Sequence, residues 1–139
     1  MRQVQHVIEI RTQGHELIEI TGEIGRWLES QIIGTGLLTV FCRHTSASLV
    51  IQETGDPDVR HDLEMFFNRL VKEDPSLYRH MAEGPDDMPA HIRTALTQTH
   101  LSIPVVDGRL ALGIWQSISL FEHRVQPRRR EIVLHLIGE

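Results

Sequence analysis

Leu37-Leu38-Thr39-Val40-Phe41-Cys42 runs into Arg43-His44-Thr45-Ser46-Ala47-Ser48, and Leu49-Val50-Ile51-Gln52-Glu53 then carries the chain to Asp56-Pro57. This stretch decides the fold class. Leu37–Cys42 places apolar residues on both faces of an extended chain, as in a strand buried between two layers. Leu49–Glu53 reads as another strand. Between them stand an imidazole and three small hydroxyls, with the carboxylates of Glu53 and Asp56 just beyond. A buried polar group without a partner costs free energy, so such a concentration beside core strands points to a site. The competing reading is a turn in which Thr45, Ser46 and Ser48 bond to their own backbone.

Upstream, Val4–Arg11 alternates, with Val4, His6, Ile8 and Ile10 on one side. That is a half-buried strand. Thr12-Gln13-Gly14 is a turn and His15–Ile20 a second strand, so the pair predicts a hairpin. Thr21 suits the cap of a helix over Gly22–Gln31, carrying Ile24, Trp27, Leu28 and Ile32 at helical spacing. Downstream, Asp56 suits a cap and Pro57 the first helical position. Val59, Leu63, Phe66, Phe67 and Leu70 then form an apolar stripe, with His61 pointing away from it and Asp62 at its edge. Asp86-Asp87-Met88-Pro89 opens another helix to about Thr97, with Ile92 and Leu96 inward. Leu101–Val106, containing Pro104, reads as an edge strand. Asp107-Gly108 is a hairpin turn. Arg109–Glu122 has a long strand pattern, and Glu131–Ile137 is the last strand. The order predicts an α+β fold, residues 1–139 forming one domain of antiparallel, sandwich-like sheets with two or three helices grouped mid-chain.

Composition narrows the function. The formal net charge is −5 with neutral histidines, and the only basic run is Arg128-Arg129-Arg130. No basic surface advertises nucleic acid or an anionic membrane. Cys42 is the single cysteine, which excludes an internal disulfide and points to a reducing cytoplasm. No apolar run approaches the roughly 20 residues of a membrane span.

The nine histidines are dispersed. His6, His15 and His135 alternate within strands and read as structural, His61 as solvated, and His100 carries no signal. His44, His80 and His91 stand apart. They lie at element ends or in the polar middle, near Glu53, Asp56, Asp86 and Asp87. Neutral imidazole with carboxylate is a ligand set for zinc-like ions, although no pair of histidines has helical i, i+4 spacing. Arg109, Arg128 and Arg130 offer a guanidinium clamp for an anion, or else pair with surface carboxylates. Ser46 lacks the nucleophile-elbow context of a hydrolase serine. Cys42, inside an apolar strand, reads as core.

His44-Thr45-Ser46-Ala47-Ser48-Leu49, Glu53, Asp56-Pro57-x-Val59, Asp62, Tyr78-x-His80, Gly84-x-Asp86-Asp87-Met88-Pro89-Ala90-His91, Gly108-Arg109-Leu110, Gly113-x-Trp115-Gln116 and Gly138-Glu139 together resemble the YjbQ family, also called the secondary thiamine-phosphate synthase family. The resemblance implies an α+β fold with sandwich-like sheets, a homotrimer and a metal-associated polar cluster. The implied activity is a weak transfer that joins hydroxymethylpyrimidine diphosphate to thiazole phosphate and releases diphosphate. Many members carry Glu-Phe-Asp-Gly-Pro-Arg where this chain has Glu122-His123-Arg124-Val125-Gln126-Pro127-Arg128. Glu122, Pro127 and Arg128 align there, and His123 is an additional candidate imidazole.

The candidate catalytic residues are His44, Ser46, Glu53, Asp62, Arg109, Glu122, Arg128 and Arg130. The candidate metal ligands are His44, His80 and His91. Either these histidines bind a zinc-like metal, or some serve as acid and base while Mg²⁺ accompanies a diphosphate substrate. A metal-dependent hydrolase and a non-enzymatic metal or small-ligand binding protein are the alternatives. The expected partners are a small phosphorylated substrate and further copies of the chain.

Overall fold

The computed structural model describes residues 1–139. In chain order the strands are β1 (Arg2–Thr12), β2 (Glu16–Glu19), β3 (Gly36–Cys42), β4 (Ala47–Gln52), β5 (His100–Val106), β6 (Arg109–Leu110), β7 (Ser117–Glu122) and β8 (Arg128–Gly138). The helices are α1 (Thr21–Glu29), α2 (Pro57–Leu70) and α3 (Asp87–Leu96), with a 3-10 turn at Pro75–Leu77. One sheet has the order β1-β8-β3-β5-β6 and the other β2-β7-β4. Every pairing is antiparallel. The α+β class with two antiparallel sheets is therefore observed.

The core lies between the sheets. Ile8 and Ile10 of β1, Leu38 and Val40 of β3, and Ile132, Leu134 and Leu136 of β8 cluster with Leu49 of β4 and with Ile118 and Leu120 of β7. Ile24 and Leu28 of α1 join this cluster. Strict alternation of buried and open residues along β5 and most of β8 is the period-2 signature of a sheet with one face on the core.

Several sequence expectations need correction. β1 and β2 form no hairpin: β1 pairs with β8 and β2 with β7. The turn at residues 13–15 passes the chain from one sheet to the other, and the Thr12 hydroxyl bonds to Glu122 across that corner. β3 buries only one face, leaving Leu37 and Phe41 open on the other. Thr21 does not cap α1; its hydroxyl accepts from the Ile118 backbone N–H and so ties the helix to β7. The Arg109–Glu122 pattern is two strands, interrupted by a turn in which the Gln116 side chain accepts from the Gly113 N–H.

The cap and the first-turn proline expected at Asp56-Pro57 are both present, with the Asp56 carboxylate accepting from the Asp58 N–H at 2.9 Å. The α2 stripe, however, buries none of its residues within the chain. α3 is also turned from the expected face. Asp87, Ala90, Arg93 and Thr94 point inward, whereas Leu96 is open. Polar bonding beneath α3, described below, outweighs the burial of two apolar side chains. β5 is next to the edge: β6 covers only Val105 and Val106. Asp107 and Gly108 both have positive φ, as the hairpin turn requires.

Candidate metal centre

The site grows from the N-terminal turn of α3. Asp87 and His91 are one helical turn apart, so their side chains share a face. The segment after the 3-10 turn brings His80 to the same place. His80 Nε2 lies 2.7 Å from Asp87 Oδ2, and His91 Nε2 lies 3.1 Å from that same oxygen. The three potential ligand atoms all fall within 4.8 Å of one another. Asp87 is almost fully buried, while both imidazoles keep partial access to solvent.

A surrounding layer fixes these groups. Arg124 donates from Nη1 to Asp87 Oδ1 at 2.7 Å and from Nε to Asp86 Oδ2 at 3.0 Å. Its Nη2 donates to the Glu83 carbonyl, and the Val125 N–H donates to Asp86 Oδ2. The Thr45 carbonyl lies 2.9 Å from His91 Nδ1 and sets that ring's orientation. Burial pushes the Asp87 carboxyl upward, but the His80 hydrogen bond and the charges of His91 and Arg124 outweigh it and hold the group below the usual carboxylate range. Asp86 is likewise held low against burial by the Val125 N–H and Arg124.

Two imidazole nitrogens and a carboxylate oxygen are the donors of a zinc-like site, and three protein ligands leave room for water or substrate. The observed separations approach the roughly 3.3 Å edge of a tetrahedron with bonds of about 2.0 Å. A carbonyl behind one imidazole and an arginine behind the carboxylate are the outer contacts such ligands usually have. The residues present thus fit a divalent ion. Mg²⁺, which prefers oxygen donors throughout, matches this set less well.

The other sequence candidates scatter. His44 Nε2 accepts the Glu131 backbone N–H at 2.8 Å, so its lone pair is used outside the His80–Asp87–His91 group. Burial, then the nearby Arg130 charge, lowers its proton affinity. Glu122 and Arg130 form a buried fork: Nε to Oε1 at 2.7 Å and Nη2 to Oε2 at 2.5 Å. Thr12 and the N–H groups of His123 and Arg124 also bond to Glu122. Burial raises this carboxyl, yet the Arg130 and Thr12 bonds hold it low.

Ser46 presents both its carbonyl and its hydroxyl to Arg130. Ser48 bonds His123 Nε2 at 2.9 Å and the Thr97 hydroxyl at 2.6 Å. The Ser46 and Ser48 hydroxyls therefore reach distant parts of the chain rather than their own backbone, and Thr45 contributes its carbonyl to His91. Arg109 lines a cavity beside α1, and Arg128 lines a groove with Arg11 and Arg129. The three arginines proposed as one clamp do not converge within the chain. Glu53 and Asp62 make no side-chain hydrogen bond or ion pair with His80, Asp87 or His91.

A family model described as UPF0047 protein YjbQ-like matches residues 6–139. The chain belongs to this family. A UPF0047 protein of Synechocystis is 54% identical over 138 residues, covering 99% of this chain and 94% of the relative. The UPF0047 protein YjbQ of Escherichia coli O157:H7 is 47% identical over 107 residues, 77% of each chain. Among solved structures, a YbjQ-like protein of unknown function from Sulfolobus solfataricus shares the fold at TM-score 0.87 and 23% identity, covering 99% of this chain and 100% of that one. A conserved hypothetical protein from Thermus thermophilus has TM-score 0.82 and 34% identity, covering 95% of this chain and 99% of that one.

In this UPF0047 member, Asp87 and Arg124 are the site residues that sequence reasoning leaves out of its candidate set. Asp87 stands in the sequence only as one of several carboxylates near His80 and His91, although Asp87-x-x-x-His91 carries the usable signal of a carboxylate and an imidazole at helical spacing. Arg124 has no local signal, because its partners lie 37 and 38 residues away.

Proposed function

We propose that this UPF0047 protein is a metal-dependent enzyme acting on a small phosphorylated substrate. The observation carrying this reading is the convergence of His80, Asp87 and His91 at a partly open position, backed by Arg124 and the Thr45 carbonyl. A divalent ion held there supplies positive charge to an anionic oxygen and lowers the proton affinity of water. Arg124 keeps Asp87 ionised and aimed, and Thr45 keeps the His91 ring in place. Partial exposure of both imidazoles leaves an approach for substrate, which a closed storage site would not need.

Two reactions fit. In hydrolysis, water attacks phosphorus, the P–O ester bond breaks, and the alcohol leaves with the proton that water gives up. In the transfer implied by family resemblance, the thiazole nitrogen attacks the pyrimidine methylene and diphosphate departs. Separation of Arg109, Arg128 and Arg130 favours hydrolysis for an isolated chain. Arg128 lines a groove with Arg11 and Arg129, and because Glu9 pairs with those two, Arg128 is the groove cation left for an anionic group in either reaction.

A homotrimer is part of this proposal. Phe41, Val133 and Val7 are aligned across β3, β8 and β1, and Phe41 and Val7 are 43% and 44% exposed. A partner copy would cover this apolar row. No helix is long and apolar enough to cross a membrane; a reducing cytoplasmic setting suits the lone, buried Cys42.

The test incubates Zn²⁺- or Mg²⁺-loaded protein with phosphate monoesters, diphosphate esters and the two thiamine-phosphate precursors. Phosphate release that is lost in Asp87→Asn supports hydrolysis, and thiamine phosphate formation lost in the same variant supports transfer. Rates no higher than those of boiled protein across all substrates would overturn the enzyme reading.

A further inference from the structure

We propose that Arg93 is the anchor of a second site, which binds the oxyanion group of a small molecule, a phosphate or a carboxylate. Arg93 lies on α3 and is only 4% exposed. A guanidinium offers five N–H donors. The chain uses Nη2 alone, in a 2.9 Å bond to the Val71 carbonyl. Buried Nε has no hydrogen-bond partner, and no carboxylate oxygen comes within 4.0 Å of the group. A buried cation normally has a matched anion, because desolvation is otherwise uncompensated.

Space for such an anion lies against it. Arg93 lines a cavity of about 130 Å³ together with His15, Asn68, His123 and the rings of Phe67 and Phe121. The two phenylalanines meet edge to face, 5.4 Å between centroids, and form an apolar wall. His15 and Asn68 supply polar atoms at the open side, and buried His123 lines the inside.

Of the two carboxylates that line the cavity, Glu122 is fully engaged elsewhere and Glu64 uses one oxygen in a hydrogen bond. Glu122 is saturated by Arg130, Thr12 and two backbone N–H groups, and Glu64 accepts from the Leu17 N–H. Glu73 and Asp86 balance Arg93 only at longer range. Burial, followed by the charge of Arg93, disfavours protonation of both His15 and His123. The charge of Arg93 thus reaches both imidazoles that border the cavity. A guanidinium with free donors, neutral imidazoles and an apolar wall match a small oxyanion attached to an apolar body.

This site does not depend on the metal reading. The test titrates inorganic phosphate and, separately, acetate into the full chain by calorimetry at constant ionic strength. Saturable binding of either is expected, and the tighter ligand identifies the oxyanion. Arg93→Gln should abolish binding. Asn68→Asp places a negative charge at the exposed rim and should weaken binding about tenfold or more by like-charge repulsion. It leaves Arg93 untouched, so it carries the test even where Arg93→Gln folds poorly. Metal content should remain unchanged in Asn68→Asp. No saturable binding of either anion, or wild-type affinity in Asn68→Asp, would overturn the proposal.

Discussion

His91 Nε2 faces Asp87 Oδ2 at 3.1 Å while its Nδ1 faces the Thr45 carbonyl at 2.9 Å. Both partners are acceptors. A neutral imidazole has one N–H, so it satisfies one of them and points a lone pair at the other. The conflict disappears when the ring carries both protons or when a cation sits between Nε2 and the carboxylate. His80, 2.7 Å from that oxygen, would give such a cation a third donor.

Arg124 holds the Asp87 oxygen that faces away from the imidazoles. Arg124→Gln should therefore weaken divalent-metal affinity about 10- to 100-fold while leaving all three ligands in place. Competition titration with a chromogenic chelator measures this. Ligation needs an unprotonated ring nitrogen, so wild-type metal retention should also fall in acid. Unchanged affinity in Arg124→Gln would assign that residue to folding alone.

The Glu122–Arg130 pair should behave as a structural brace. Glu122→Gln leaves the Arg130 charge buried without its partner, and the expected cost is about 3–5 kcal/mol. Arg130→Met should cost a similar amount. The double variant should cost clearly less than the sum, since each single change strands one charge. Urea unfolding of the four proteins gives the coupling.

Acid sensitivity follows from His123. Burial, then the charge of Arg93, pushes this imidazole down to about 3. In the unfolded chain it titrates near about 6.5. Between those limits the unfolded state holds more protons, so stability rises with pH and is lost as pH falls from about 6.5 toward 3. The slope is about 1.4 kcal/mol per pH unit for such a group. His15 and His44, also lowered chiefly by burial, act in the same direction. The depressed carboxyls of Asp86, Asp87 and Glu122 contribute stability above about pH 4 that disappears below it. His123→Asn should flatten the curve between roughly pH 6 and pH 4, inside the window these values define. Equal slopes for both proteins would remove His123 from the account.

Gly138 sits where β8 crosses the start of β3. A Cβ there would collide with the Thr35 carbonyl and the Gly36 backbone. Backbone hydrogen bonds between Thr35 and Glu139 hold the crossing in place, so the neighbours cannot retreat. Gly138→Ala should cost about 1–3 kcal/mol. Gly25→Ala, where a Cβ meets nothing within 4 Å, is the matched control and should be neutral or slightly stabilising. Thermal melts compare the two.

These contrasts show where sequence reading works. Alternation in Leu101–Val106 and helical caps at Asp56-Pro57 are local signals, and both elements form close to their expected limits. The strand pattern around Ser46 and Ser48 also reveals a polar junction. Local pattern fails where distant groups decide. Thr12 joins Glu122 across 110 residues, and that link belongs to a chain passing between sheets rather than turning back as a hairpin. α3 has an apolar stripe at Ile92 and Leu96, yet Asp87 and Arg93 take the inward face because their partners lie elsewhere in the chain. His15 reads as an ordinary strand histidine and instead borders the Arg93 cavity.

The most direct measurement is metal content by mass spectrometry of protein purified without a histidine tag, followed by anomalous diffraction at the metal edge. The expected result is about one zinc-like ion per chain, held by His80, Asp87 and His91. Loss of that ion is expected in His80→Ala, His91→Ala and Asp87→Asn but retention in His135→Ala. Metal-free wild-type protein after zinc loading, or full occupancy in His91→Ala and Asp87→Asn, would contradict this assignment.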